Sequence, residues 1–236
     1  MPSVQHTQTQ NVNELCMPEP ILSDWEKSNH LFGLHSLEIE VYILRHGRSL
    51  AMEADLIVSD PINGLRPEFG LAPMGIDEVR HTMEAAKAAG ILDQNTIIVS
   101  SPFLRTVESA AIAAEILGVD SIQTDDRLRE RGFGERELQR ASSGYDEVHK
   151  LDYLDPRHTT FGVESLCATQ DRASSFFAEM NQTLPLKHPH TRPLRLLAVL
   201  HGDIGFVSSL AFAKTAAEDT SAAARLKTAE LRKLEL

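Results

Sequence analysis

The sequence predicts an α/β fold: a three-layer sandwich in which a largely parallel central sheet is flanked by helices. Three apolar runs carry that expectation: Glu38–Arg45 (EIEVYILR), residues 96–100 (TIIVS) and Leu194–Leu200 (LRLLAVL). Each is short and rich in aliphatic or β-branched residues, so each reads as a buried strand. Amphipathic helical stretches separate them, and strands that alternate with helices assemble into parallel sheets. The strand ends are the third observation. They carry Arg45-His46, Ser100-Ser101 and His201, and in open α/β sheets functional groups gather beyond the carboxyl ends of the strands.

Taken in order, residues 1–20 are polar, rich in Gln, Asn and Thr, and read as a disordered or loosely packed arm ahead of a single domain over 21–236. Trp25, Leu31, Phe32 and Leu34 would cover an edge of that domain. After the first strand, residues 50–72 hold Gly, Pro, Asn and Asp and read as a long loop. Ile76, Val79, Met83 and Ala86 recur at helical spacing, which predicts a helix over 75–89 stopped by Gly90. The second strand leads to Ser101 as a helix N-cap and Pro102 as first helical residue. That helix runs to about Leu117, with Leu104, Val107, Ala111 and Ala114 facing inward. Residues 121–160 are charged and without an assigned element. Residues 164–181 form a helix bearing Leu166, Phe176, Phe177 and Met180, and residues 183–193, with three prolines, form a linker. The third strand is followed by a helix from Asp203, with Asp203 as its cap, and residues 222–234 close the chain as a charged helix or tail.

Composition narrows the function. The chain has 236 residues and is 42% hydrophobic, enough for a full core. It has no run of about 18 apolar residues that would span a membrane. No secretory signal is visible, and the absence of Lys or Arg before Lys27 argues against a mitochondrial presequence. Cys16 and Cys167 read as free thiols in a reducing compartment, which points to the cytoplasm. The net charge of −11 disfavours nucleic acid and anionic membranes as partners. A small anionic substrate stays open, because nearby arginines set the field inside a pocket. The sequence leaves self-association undecided.

Phosphoryl transfer without a metal needs a nucleophile, cations around the phosphate oxygens and an acid for the leaving oxygen. Arg45 and His46 supply a guanidinium and a neutral imidazole at one strand end, and Gly47 allows a tight turn there. Arg105 falls in the first turn of a helix, beside free backbone N–H groups that favour an anion. His201 adds a second imidazole, and Glu130 a carboxyl group. Arg48 either reaches substrate or braces its loop; Arg66 reads as a surface residue.

Four segments then resemble the histidine phosphatase superfamily: Leu44-Arg45-His46-Gly47-Arg48-Ser49, Ser100-Ser101-Pro102-Phe103-Leu104-Arg105-Thr106, Leu128-Arg129-Glu130-Arg131-Gly132-Phe133-Gly134 and Leu200-His201-Gly202. They stand in family order over about residues 38 to 215. The resemblance implies a phosphoglycerate-mutase-like fold and no cofactor or metal. It implies that His46 becomes a phosphohistidine, that Arg45, Arg105 and His201 clamp the phosphoryl oxygens with Gly47, Arg48 and Ser49 near substrate, and that Glu130 is acid and then base. The branch with an R-H-G-x-R-x-P motif and a His-Asp pair is not matched, so the phosphoglycerate-mutase-like branch is indicated. Residues 161–165 (FGVES) resemble the segment before a helix in the same family, making Glu164 a helix-start residue.

One departure concerns Met52, where that branch commonly has an Asn hydrogen-bonded to phosphate. A thioether cannot donate, and the lost contact is worth about 1–3 kcal/mol. The expected activity is hydrolysis of a small phosphorylated metabolite or a phosphoprotein. The alternatives are a mutase and a phospho-ligand-binding pseudoenzyme. The single tryptophan, Trp25, precedes the nucleophile, which disfavours a mutase with its downstream tryptophan loop.

Overall fold

The structure is a computed structural model and describes residues 23–190, 193–215 and 224–236. The expected arm over 1–20 and Cys16 lie outside the described residues. The central sheet has five strands in the order β3-β2-β4-β1-β5. They are β1 (Glu40–Arg45), β2 (Ile97–Ser100), β3 (Ile122–Thr124), β4 (Arg195–Leu200) and β5 (Leu231–Leu234). All pairings are parallel except that of β5 with β1.

Alternation along the inner strands explains the three layers. Val41 and Ile43 of β1, with Leu196, Ala198 and Leu200 of β4, face one core. There they meet α7 (Leu166–Lys187), α8 (Gly202–Ala213) and Trp25 of α1 (Asp24–Lys27). Tyr42, Leu44, Leu197 and Val199 face the other core, formed with α4 (Pro73–Ala88) and α5 (Leu104–Leu117). A strand covered on both faces is apolar at successive positions, which is why the strands read as continuous runs.

Several elements differ from expectation. The loop over 50–72 contains α2 (Leu50–Glu53) and α3 (Pro61–Gly64), capped by Ser49 and Asp60. In α4 the buried stripe is Gly75, Val79, Met83 and Ala86, while Ile76 is exposed. The α5 helix starts at Leu104 with Phe103 at the N-cap, not at Pro102. Ser101 still belongs to the sheet ladder, its N–H donating to Val199 O at 2.9 Å. The buried face of α5 is also rotated: Arg105, Thr106, Ser109, Ala110, Ala113 and Ala114 point inward and Ala111 outward.

The 121–160 region contains β3 and α6 (Ala141–Leu154). The α7 helix continues to Lys187 through part of the expected linker, because Pro185 sits in the last turn and forfeits only one backbone bond. The segment expected as a charged helix or tail contains strand β5 among its described residues 224–234, and this strand covers the outer edge of β1.

Candidate active site

Register brings the site together. In the β1–β4 pairing Arg45 stands opposite Leu200, so the next residues along, His46 and His201, emerge side by side. Their rings pack edge to face with centroids 5.2 Å apart. On the other side of β4, Ser100 pairs with Val199, and Ser101 Oγ lies 2.8 Å from His201 Nε2.

His46 is 3% exposed. Its Nδ1 lies 2.7 Å from Gly47 O, an acceptor, so the ring proton resides on Nδ1. Nε2 is then an unprotonated lone pair, and it accepts from Arg105 Nε at 3.2 Å. Burial, with the Arg105 and Arg45 guanidinium groups, holds this imidazole well below its ordinary range, outweighing the Gly47 carbonyl. His201, fully buried, is held low by burial, Arg105 and His46.

Arg105 projects from the second residue of α5 and donates through Nη2 to Val58 O at 2.9 Å. Arg45 donates through Nη1 to Leu226 O at 2.7 Å. Each keeps one buried nitrogen without a protein partner, Arg45 Nε and Arg105 Nη1, and His201 Nδ1 is likewise unpartnered. Buried polar atoms are normally satisfied, so these three are exceptions that call for an explanation.

Glu130 reaches the same place from a loop. Its carboxylate accepts from Gly202 N at 3.1 Å, Asp203 N at 3.2 Å, Ile204 N at 3.4 Å and Arg131 N at 3.0 Å. Glu130, remote in sequence, therefore caps α8, and Asp203 does not. Asp203 is instead buried within a charge network. It meets Arg131 at 3.5 Å, His149 at 3.2 Å and Arg225. Burial pushes the Asp203 carboxyl up, but Arg225, His149 and Arg131 outweigh it and hold it well below the usual range. For Glu130, burial and then the Asp203 charge raise its pKa against the pull of Arg105, Arg45 and the Arg131 N–H.

The structure thus gathers Arg45, His46, Arg105, Glu130 and His201. Arg45, His46, Arg105 and Glu130 line a narrow pocket of about 30 Å³, together with Ser49, Ala51, Met52, Leu56, Val58 and Tyr145. Ser49 Oγ caps α2 by accepting from Met52 N at 3.3 Å. Gly47 and Arg48 stand apart from the pocket lining. Gly47 is required by packing: a Cβ there would lie 2.8 Å from Gly75 C and 2.9 Å from Val79 Cγ2. Arg48 points toward Glu53 at 3.9 Å, while its N–H donates to Glu78 at 2.9 Å. Trp25 is remote from the pocket, its Nε1 donating to Thr215 O at 2.7 Å. A much larger cavity of about 750 Å³, beside Trp25, Leu154, Arg157 and Cys167, contains neither histidine.

Sequence reasoning did not single out three contributors. Tyr145 enters from α6, whose only sequence signal is the helical spacing of Gly144, Val148 and Asp152. Arg131 is fully buried and bidentate to Asp152 at 2.6 and 2.7 Å. Arg172 of α7 binds the carbonyls of Arg127 and Arg129 at 2.7 and 2.8 Å and pairs with Glu164 at 2.7 Å. It pins the segment that carries Glu130. Glu164 also accepts from Gly132 N at 3.1 Å, whereas the helix cap beside it is Ser165. Among the described residues, no group of three or more His, Cys, Asp or Glu is placed to hold a metal ion, and no helix is long and apolar enough to cross a membrane.

Comparison with solved structures finds the same architecture at low identity. A mycobacterial glucosyl-3-phosphoglycerate phosphatase superposes with a TM-score of 0.67 and 20% identity, covering 83% of this chain and 89% of that one. Its complex with inorganic phosphate gives 0.61 and 21%, covering 83% and 88%. YhfR of Bacillus stearothermophilus gives 0.63 and 19%, covering 84% and 91%. No curated protein sequence matches significantly. The sequence profile of the histidine phosphatase superfamily, branch 1, matches residues 41–235, which include Arg45, His46, Arg105, Glu130 and His201, and the chain belongs to that family.

Proposed function

We propose that the protein is a metal-independent phosphomonoester hydrolase that acts through a phosphohistidine at His46 on a small phosphorylated metabolite or a phosphoprotein. The observation that carries this reading is the state of His46: Nδ1 faces the Gly47 carbonyl, bare Nε2 accepts from Arg105 Nε, and the neighbouring Arg45, Arg105 and His201 each keep an unpartnered buried nitrogen.

In the first step His46 Nε2 attacks phosphorus, an N–P bond forms and the P–O bond to the alcohol breaks. Arg105 Nε, released from Nε2, turns to a phosphoryl oxygen. Arg45 Nε, Arg105 Nη1 and His201 Nδ1 are oriented in advance for the charge that develops. A Ser101 hydroxyl donating to His201 Nε2 would keep the His201 proton on Nδ1, where it serves as donor. Protonated Glu130 gives its proton to the departing alkoxide. In the second step Glu130, now a carboxylate, takes a proton from water, whose oxygen attacks phosphorus as the N–P bond breaks. Inorganic phosphate leaves, and the enzyme returns to its starting state.

The test is turnover of phosphomonoesters by wild type and by His46→Ala. His46→Ala should lose at least about 10³-fold in kcat/KM, as expected for a nucleophile. Acid-labile phosphate should be trapped on wild type alone. Because guanidinium groups take the electrostatic role that a metal ion would otherwise fill, activity should survive exhaustive treatment with a strong chelator. Loss restored by a divalent cation would refute metal independence.

A further inference from the structure

The pocket divides into two chemically different ends. Its two cations, Arg45 and Arg105, carry the unpartnered nitrogens assigned above to the phosphoryl oxygens. Apart from His46, Glu130 and the Ser49 hydroxyl, the rest of the lining is Ala51, Met52, Leu56, Val58 and Tyr145, which bear no charge and are left for the leaving alcohol. Tyr145 is held firmly, stacked on His149 at 5.8 Å and meeting Phe133 edge-on at 4.9 Å.

Three arginines of the surrounding loops are already matched to acids. Arg48 lies 3.9 Å from Glu53, Arg66 3.0 Å from Glu68 and Arg136 2.6 Å from Glu147. A carboxylate or second phosphate on the substrate would therefore give up its hydration against Met52, Leu56 and Val58 and gain no counter-charge. The net charge of −11 adds a general repulsion of polyanions.

We propose that this site selects phosphomonoesters of uncharged, apolar alcohols, aryl or alkyl, over esters that carry a second anionic group. The proposal rests on the hydrolase reading and narrows its substrate class. The reaction remains that of a monoester with water, giving the free alcohol and inorganic phosphate. Met52 and Tyr145 act on specificity through the alcohol they touch.

The experiment compares three esters of primary alcohols, so that leaving-group strength is similar: 2-phenylethyl phosphate, glycerol 1-phosphate and 3-phosphoglycerate. Wild-type kcat/KM should fall in that order, with at least about tenfold between first and last. Met52→Arg should shrink that ratio about tenfold by supplying the missing cation. Tyr145→Ala should depress 2-phenylethyl phosphate more than glycerol 1-phosphate. Calorimetric affinities of His46→Ala for the same esters should follow the same order. Equal or better turnover and binding of 3-phosphoglycerate overturns the proposal, as does a failure of all three esters to bind. If none is turned over but the order of affinities holds, the hydrolase reading fails and the specificity stands.

Discussion

At the scale of single residues, two opposed shifts make one protonation state available. The proposed chemistry needs neutral His46 together with protonated Glu130. With ordinary values a glutamate loses its proton before a histidine does, so few molecules would hold both forms at once. Here burial and the two arginines lower His46, and burial with Asp203 raises Glu130, which moves the two titrations toward each other and enlarges the fraction that holds both forms. The rate should be bell-shaped in pH: rising as His46 loses its proton below the usual histidine range, and falling as Glu130 ionises above the usual carboxylate range. Glu130→Gln should remove the falling limb and cost about 10²–10⁴-fold with poor leaving groups, less with p-nitrophenyl phosphate, whose leaving group needs little protonation. The stability sign is also defined. A carboxyl whose folded pKa is raised contributes stability fully below its unfolded value and loses it as pH rises through the folded value. Glu130→Gln should therefore raise the Tm relative to wild type at pH 8 more than at pH 4. A Tm gain that does not grow with pH would count against a raised Glu130.

At the scale of elements, the loop after β1 is positioned by contact between two glycines. Gly47 lies against Gly75 near the start of α4, and a Cβ on Gly75 would lie 2.8 Å from Arg48 C. Neither site has room to yield, since the nearest neighbours are backbone atoms. Gly47→Ala should destabilise by about 1–3 kcal/mol in urea unfolding, as for other overpacked positions, and should lower kcat by moving His46. An unchanged urea midpoint would show that the contact is not tight. Strand ends were legible in advance because apolar runs halt at Arg45 and Leu200. The starts of α5 and β5 were not. Ser101-Pro102 carries a good helix-start pattern, but Ser101 is already committed to the sheet through Val199. In residues 224–234, charged side chains hide a strand that forms one edge of the sheet.

At the scale of the molecule, one buried arginine joins segments far apart in the chain. Arg131, beside Glu130, binds Asp152 of α6 and Asp203 of α8, and His158 completes Asp152 at 2.8 Å. The same α6 brings Tyr145 to the pocket. Removing one partner of a buried ion pair leaves the other charge uncompensated, so Arg131→Met should cost about 3–5 kcal/mol in chemical denaturation. It should also loosen Glu130 and α6 together, read as a fall in both kcat and the discrimination between esters. A loss of less than about 1 kcal/mol would mean that the aspartates find other partners.

The sequence alone determined the layered α/β class, because strands covered on both faces must be apolar at consecutive positions. It also determined which residues could be chemical partners, since imidazole, guanidinium and carboxyl groups stand out where apolar runs stop. Tertiary structure decided which of them meet. Parallel register sets His46 beside His201, the rotation of α5 buries Arg105 against them, and packing against Gly75 turns Gly47 and Arg48 away from the pocket. It alone placed Glu130 on the end of α8 and sank Arg131 among aspartates, because the energy of a buried charge depends on neighbours that are near in space and distant along the chain.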